Sequence, residues 1–240
     1  MPKIHEAWTI LPHGPLGEIA DGILTVTGQI PMPLGNFPRR MTVVRLKGGR
    51  TAIFSAIALP EPQMERIEAL GRPAILIVPN GAHRLDSRAW KQRYPDIAVL
   101  APPGARAAVE EAVPVDATED VLADPDVRFQ LVAGMKESEA ALTVRRAEGT
   151  TLILNDVIGH VRHPHGLGAR IMARLFGFGV RGPRIPRPVK RRIAHPAALA
   201  RQLRDWAGIE DLRRIIVSHG EMISDDPAAT LKRTATGLED

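Results

Sequence analysis

The sequence predicts an α/β protein in which two mixed sheets lie between helices, an αββα four-layer sandwich. Segments typical of β-hairpins and segments typical of β-α-β units both occur in each half of the chain, which is not the pattern of a purely parallel sheet. The 240 residues are 44% apolar, which is ample for a packed core. We therefore expect a single domain over residues 1–240.

The first forty residues are rich in glycine and proline. Strand-like stretches at residues 7–11 and 23–30 predict an edge hairpin or cover within residues 1–40. Apolar runs at residues 41–46 and 51–54 then flank two adjacent glycines. Since paired glycines supply the positive φ of a tight turn, this segment is predicted to be a β-hairpin.

Helices and strands alternate through the rest of the chain. Helices are indicated by apolar residues three and four apart, and buried strands by short β-branched runs. The predicted elements are helix 60–70, strand 74–78, helix 87–93, strand 97–100, a helix after Pro103, strands 127–132, 141–144 and 150–154, helices 167–176 and 195–207, strand 214–217 and helix 226–234.

The net charge of +5 is concentrated in one stretch, residues 157–204, here called the basic segment. It contains eleven Lys and Arg residues and no Asp or Glu. We predict a Pro- and Gly-rich insertion within the domain, with three roles open: a solvated insertion, an anion-binding rim, or a surface for an acidic protein or anionic membrane. Nucleic acid is the least favoured partner because only Phe176 and Phe178 could stack on bases.

The helix predicted at residues 167–176 has an apolar stripe that includes Ile171 and Leu175, with Arg170 and Arg174 beside it. This pattern is typical of a helix at a membrane interface. It is equally typical of a helix that packs on a core or a dimer contact.

Several classes of protein are excluded by what the sequence lacks. Without cysteine there can be no disulfide or thiolate nucleophile, and a transition metal would have to be held by His, Asp or Glu. The chain has no apolar run of about 18 residues and its N-terminus has no signal-peptide pattern, so we expect a soluble, cytoplasmic protein. Residues 177–182 match G-x-G-x-x-G, but a helix precedes them and Pro183 follows, which excludes a dinucleotide-binding turn.

Two late strands are each followed by a residue that can bind a metal. Strand 150–154 leads to Asp156, and strand 214–217 leads to His219. A carboxylate and an imidazole at strand ends suit a divalent ion in an α/β hydrolase.

From residue 41 to residue 220, the order of elements resembles the metallo-β-lactamase-fold superfamily, more narrowly a divergent branch of it. In that family a His-x-His-x-Asp-His loop follows a strand. The corresponding segment here has Asn80 in place of the first histidine and keeps only His83 and Asp86 as ligand types.

The other family motifs are partly present. The Gly-His loop of the family falls on residues 134–139, which include no histidine. The carboxylate that can bridge two metals matches Asp156, and the histidine after the last strand matches His219. The resemblance therefore implies a degenerate metal site.

The resemblance implies that His83, Asp156 and His219 hold one divalent ion, either zinc, manganese or iron, which activates water against an ester, amide or phosphoester. A harder ion such as manganese could recruit Asp86, Glu137 or Glu139. The alternative is that no metal binds, and that Asp156 and His219 satisfy loop amides and each other.

Further candidates lie in the basic segment. His160, followed by His163 and His165, could complete the metal site or form a solvated basic turn. A small anionic substrate is expected to be oriented by arginines of the segment. These are Arg170, Arg174, Arg181 and Arg184.

Two functions follow from the sequence. The first is a metal-dependent hydrolase with an incomplete ligand set. The second is a non-catalytic binding module of the same fold that docks through its basic segment on an acidic partner or an anionic membrane surface.

Overall fold

The computed structural model describes residues 4–32, 35–164 and 167–239. Its strands are β1 (Gly17–Ala20), β2 (Ile23–Met32), β3 (Gly35–Leu46), β4 (Arg50–Phe54), β5 (Arg72–Ile77), β6 (Ala98–Leu100), β7 (Val127–Leu131), β8 (Ala140–Arg146), β9 (Gly149–Leu154) and β10 (Leu212–Val217). Its helices are α1 (Glu61–Leu70), α2 (Ser87–Arg93), α3 (Arg106–Glu110), α4 (Leu167–Phe176), α5 (Arg187–Lys190), α6 (Pro196–Ala207) and α7 (Pro227–Thr236).

The strands form two mixed sheets. One has six strands in the order β1-β2-β3-β4-β5-β6, antiparallel as far as β4 and parallel from β4 to β6. The other has four strands in the order β10-β9-β8-β7, in which β9 and β10 are parallel. This arrangement confirms the predicted mixed α/β class.

The core has three apolar layers, one between the sheets and one under each outer set of helices. In β9, Ile153 packs between the sheets, whereas Leu152 and Leu154 face the opposite side and pack with α6 residues such as Leu203. The six-stranded sheet is covered on its outer face by α1 and α2, where Trp90 is fully buried. Because both faces of each sheet are covered, the central strands are apolar at successive positions, as the αββα prediction requires.

The predicted hairpin is formed by β3 and β4, with Thr42 opposite Phe54. Gly48 and Gly49 adopt φ of 75° and 65°, as the tight turn demands. However, β3 begins earlier than predicted, at Gly35, because its first half pairs with β2. This extension carries residues 37–39 to the edge of the sheet where the candidate site lies.

The strand predicted at residues 7–11 is wrong. This stretch is outside the ladders, and the edge strand of the six-stranded sheet is β1. The indole nitrogen Nε1 of Trp8 donates to the carbonyl of Leu59 at 2.9 Å, and its ring lies 5.5 Å from that of Trp90. The segment is therefore held by side-chain packing rather than by strand pairing.

The basic segment contains α4, α5 and most of α6. Between α4 and α5 the chain passes close to residue 159, where a Cβ at Gly179 would lie 2.2 Å from the Gly159 carbonyl oxygen. The backbone carbonyl of Phe178 accepts from the Val161 amide at 2.8 Å, which places the Phe178 ring beside the candidate site. Gly179 therefore allows the close approach of these two backbone segments. Within the described ranges, every helix is too short or too polar to cross a membrane.

Candidate metal centre

Three loops at the ends of β5, β9 and β10 bring His83, Asp156 and His219 together. Leu154 and Val217 are paired in the parallel ladder of β9 and β10. Asp156 and His219 each follow two residues later, so the register of the two strands sets them side by side. His83 comes from the loop between β5 and α2 in the other sheet.

The ligand atoms of these three side chains converge on a small volume. Asp156 Oδ1 lies 3.1 Å from His83 Nε2 and 2.9 Å from His219 Nε2. The two Nε2 atoms are 3.2 Å apart. The side chains are 8%, 13% and 8% exposed for His83, Asp156 and His219, so water has little access to the group.

Each histidine is oriented by a partner of its other ring nitrogen. His219 Nδ1 lies 2.7 Å from the carbonyl oxygen of Pro38, which can only accept, so Nδ1 carries a hydrogen. His83 Nδ1 lies 2.8 Å from the hydroxyl Oγ of Ser55. With the imidazole neutral, Nε2 of His219 carries no hydrogen, and its lone pair faces a carboxylate oxygen. Such a contact is repulsive unless a cation or a proton lies between the atoms.

Two aromatic rings fix the His219 imidazole from the side. The ring of Phe37 lies 4.7 Å and that of Phe178 6.1 Å from the His219 ring. The two phenyl rings also contact each other edge to face, at 4.8 Å. The N-terminal extension of β3 and the basic segment therefore meet over this histidine.

The second oxygen of Asp156 faces a different environment. Asn80 Oδ1 accepts from the backbone amides of Ala82 at 2.8 Å and His83 at 3.2 Å, which fixes the orientation of its amide group. Asn80 Nδ2 therefore donates both hydrogens to carboxyl oxygens, at 2.7 Å to Asp156 Oδ2 and at 2.8 Å to Glu139 Oε2. Asn80, at the family's first histidine position, is a hydrogen-bond donor in this site.

Glu139 is fully buried and accepts from the backbone amide of Asp156 at 2.7 Å. Burial, reinforced by the nearby charge of Asp156, raises the pKa of Glu139 to about 8, so this carboxyl is protonated at neutral pH. Burial also acts to raise the pKa of Asp156, but the two histidines together outweigh it and hold that pKa well below 3.8. Burial lowers the pKa of His83, so its imidazole is neutral at pH 7.

Two other predicted ligands are engaged elsewhere. Asp86 is buried, with Oδ1 2.9 Å from His5 Nδ1 and Oδ2 bonded to Arg39. His160 is paired with Gly220 in an isolated bridge rather than lying in a helix, and its Nδ1 lies 3.1 Å from the Glu221 carbonyl oxygen. Asp86 and His160 are not in the convergent group of His83, Asp156 and His219.

The remaining predicted candidates are His163, His165, Glu137 and Glu139. His163 is 80% exposed and pairs with Glu221. His165 lies outside the described residues. Glu137 is exposed, whereas Glu139 lies in the buried network.

A pocket of about 390 Å³ opens in front of the three ligand atoms. Its walls are largely apolar, and its two cationic side chains are arginines that the sequence did not single out. It is lined by Ile30, Phe37, Arg39, Ser55, Ala56, Ala82, His83, Leu85, Asp156, Phe178, Pro188, Val189, Arg192 and His219. Ser55 could have been found from the sequence, since it directly follows a strand as Asp156 nearly does, whereas Arg39 and Arg192 carry no comparable signal.

The four arginines expected to bind an anion are all exposed side chains of the basic segment. They are Arg170, Arg174, Arg181 and Arg184. None of them is among the residues that line the pocket. Anion binding by these four stays a prediction.

No family model and no curated protein sequence matches the chain. Solved structures do match it over nearly the whole length. The metallo-β-lactamase FIM-1 from Pseudomonas aeruginosa, in its mono-zinc form, aligns with a TM-score of 0.61 at 15% identity, covering 96% of this chain and 98% of that one. A metallo-β-lactamase from Erythrobacter litoralis aligns with a TM-score of 0.60 at 19% identity, covering 92% and 96%.

A third structure, VMB-1, aligns with a TM-score of 0.64 at 11% identity and covers 97% of this chain and 100% of that one. The chain therefore has the metallo-β-lactamase fold, as the order of its elements predicted. At these identities the likeness concerns the fold, and function has to be argued from the site.

Proposed function

We propose that the protein is a metal-dependent hydrolase that holds one divalent ion with His83, Asp156 and His219. The observation that carries this proposal is the convergence of their three ligand atoms within 2.9 to 3.2 Å of one another. Ligand atoms around a tetrahedral zinc ion lie about 3.3 Å apart, so only a small expansion would admit the ion. The hydrogen bond from His219 Nδ1 to Pro38 also leaves Nε2 free to ligate, as is usual for metal-bound histidine.

The surroundings favour one ion rather than two. Asp156 Oδ2, the oxygen that would bridge to a second ion, accepts from the Asn80 amide instead. Beyond Asn80 lies Glu139, whose raised pKa of about 8 keeps it protonated and unsuited to bind a cation at neutral pH. Two imidazoles and one carboxylate match a catalytic zinc site with an open position. The mono-zinc form of FIM-1 shows that a neighbour in fold has also been found with a single zinc.

A bound divalent ion would polarise the substrate and lower the pKa of a bound water towards 7. The chain's own residues supply the rest. Ser55 and Pro38 hold the two imidazoles in orientation, and Phe37 and Phe178 exclude bulk water from the His219 side. Esters, amides and phosphoesters are the substrates to be screened.

Metal analysis by inductively coupled plasma mass spectrometry, on untagged protein purified without chelators, tests the proposal. We expect about one equivalent of zinc, manganese or iron per chain, lost in His219→Ala. His195→Ala is the matched control, because His195 is exposed at the start of α6 and outside the site, and it should keep the metal. Absence of metal from the wild-type protein, or equal metal in the two variants, would overturn the assignment.

A second candidate function is favoured by a separate observation on α4. Ile171 and Leu175 are 57% and 56% exposed, one turn apart, with Arg170 and Arg174 exposed beside them. This is the arrangement of a helix that lies on an anionic membrane surface, in a segment without acidic residues.

Sedimentation with phosphatidylserine vesicles tests this docking. We expect binding that weakens with salt and is lost in the Ile171→Ser, Leu175→Ser double variant. Val121→Ser is the control, since Val121 is an exposed apolar residue elsewhere, 41% exposed. Equal sedimentation of all three proteins would rule out docking through α4, and binding to an acidic protein instead of vesicles would redirect the proposal to a protein partner.

A further inference from the structure

Arg39 lies in the pocket wall with much of its hydrogen-bonding capacity unused. Its side chain is 5% exposed, and its Nη1 donates to Asp86. Among the described residues, Nε and Nη2 have no hydrogen-bond partner. A buried donor left unpaired is destabilising, and a charged one more so, so most buried donors in proteins have a partner.

Arg39 lies where its two unpaired donors are close to the candidate metal site. Arg39 lines the same pocket as His83, Asp156 and His219. Asp86, fully buried, holds Nη1 and so fixes the guanidinium in place.

A second arginine also lines the pocket. Arg192, just after α5, is exposed and lines the pocket beside Pro188 and Val189. The remaining walls, away from the ligand group, are mostly apolar side chains such as Ile30 and Leu85. Two cations in an apolar pocket of about 390 Å³ match an occupant with an apolar body and one anionic group.

We propose that Arg39 and Arg192 together form the subsite for a carboxylate or phosphate group of the substrate, whose apolar body fills the pocket in front of His83, Asp156 and His219. This inference rests on the proposed hydrolase function and narrows it to small substrates that carry such an anionic group. Buried Arg39 is positioned by Asp86, and exposed Arg192 supplies the second guanidinium.

Isothermal titration calorimetry at constant ionic strength tests the subsite with benzoate, phenyl phosphate and the neutral benzyl alcohol. We expect the two anions to bind at least about tenfold more tightly than benzyl alcohol. Arg39→Lys, which keeps a positive charge beside Asp86 but loses the planar fork, should weaken anion binding about five- to tenfold. Arg192→Ala should weaken it by a similar factor.

The matched control is Arg191→Ala, since Arg191 is the exposed neighbour of Arg192 and is not part of the pocket lining. It should bind all three probes within about twofold of the wild type. The subsite is refuted if benzyl alcohol binds as tightly as the anions, or if Arg39→Lys and Arg192→Ala both behave like Arg191→Ala. If circular dichroism shows that Arg39→Lys does not fold, the comparison of anion binding by Arg192→Ala and Arg191→Ala tests the subsite.

The same titrations after chelation separate this subsite from the metal. If the arginines hold the anion, the dependence on Arg39 and Arg192 persists in chelated protein, even if the protein proves to bind no metal at all. If anion binding disappears on chelation in wild type and variants alike, the anion sits on the metal and the subsite is wrong. An arginine dependence seen with only one of the two anions supports the subsite and identifies the substrate's group.

Discussion

The two oxygens of Asp156 face two differently built halves of the site. On the histidine half, Oδ1 meets His83 Nε2 and His219 Nε2, so three atoms that can bind a metal converge. On the amide half, Oδ2 accepts from Asn80, whose two amide hydrogens are both donated to carboxyl oxygens. The histidine half therefore needs a proton or a cation between its atoms, whereas the oxygens of the amide half already accept hydrogens from Asn80.

The amide half is built from the two segments that the resemblance aligns with histidine-bearing loops of the metallo-β-lactamase fold. Asn80 stands at the first histidine position, and Glu139 ends the stretch where the Gly-His loop would fall. The replacements form a neutral, buried hydrogen-bond network at neutral pH, because Glu139 is protonated there. The two halves thus differ in how they satisfy Asp156: Oδ2 accepts a hydrogen from Asn80, whereas Oδ1 faces two imidazole nitrogens.

The largest effect is expected from breaking the amide half. Asn80→Ala removes both donors and leaves Asp156 Oδ2 and Glu139 Oε2 without that partner. We expect a loss of about 2–4 kcal/mol in the free energy of unfolding and a 10- to 100-fold weaker metal affinity. Urea unfolding and metal titration measure the two effects. Asn36→Ala, which removes an amide bonded only to the Gln29 side chain, is the control and should cost less than about 1 kcal/mol.

The next effect concerns pH and the Glu139 carboxyl in chelated protein. The folded chain keeps this proton up to about pH 8, whereas the unfolded chain releases it above about pH 4.5. The stability gained by keeping the Glu139 carboxyl protonated is thus fully present below pH 4.5 and is lost as the pH rises to 8. Glu139→Gln has no such proton, so its stability relative to wild type should rise by about 2–4 kcal/mol between pH 5 and 8.

Urea unfolding at pH 5, 6.5 and 8 measures this difference. The variant starts at a disadvantage at pH 5, because one of the two carboxyl oxygens that accept from the Asn80 amide and the Asp156 backbone amide becomes an NH2 group, which donates. Glu119→Gln, at an exposed position, should track the wild type at every pH. A constant difference between Glu139→Gln and wild type would show that Glu139 is ionised in the folded chain.

A smaller effect is expected on the histidine half. Ser55→Ala removes the hydroxyl that orients His83, while leaving all three candidate ligands in place. We expect about tenfold weaker metal affinity, measured by competition with a chromogenic chelator. Ser138→Ala, which removes a hydroxyl bonded to the Met135 carbonyl, should leave the affinity unchanged. Equal affinities in the two variants would show that Ser55 has no role in positioning His83.

The smallest effect is expected at His160, the additional ligand considered from the sequence. Its Nδ1 is directed at the Glu221 carbonyl, away from the three convergent atoms. His160→Asn should keep the full metal stoichiometry and lose about 1 kcal/mol of stability or less. Loss of metal in this variant would add His160 to the site.

Most elements from residue 41 onwards, and the three candidate ligands, were predicted from the sequence, whereas β1 and α5 were not. Hairpin, helix and strand signals depend on local periodicity and turn chemistry, which is why α2 and α4 have the predicted bounds. Asp156 and His219 were found because a polar residue after a buried strand is itself a local signal. His83 was found through the resemblance of its loop to a family motif.

The side chains that surround those ligands were not predictable from the sequence, because contacts between distant segments bring them together. Asn80 and Glu139 are 59 residues apart, and Pro38 is 181 residues from His219, so their hydrogen bonds leave no periodic trace in the sequence. Arg39 lines the pocket because β3 extends to pair with β2. Trp8, predicted to lie in a strand, instead packs its ring against that of Trp90. Local periodicity fixes which face of an element is apolar, whereas packing between distant elements decides which polar atoms meet.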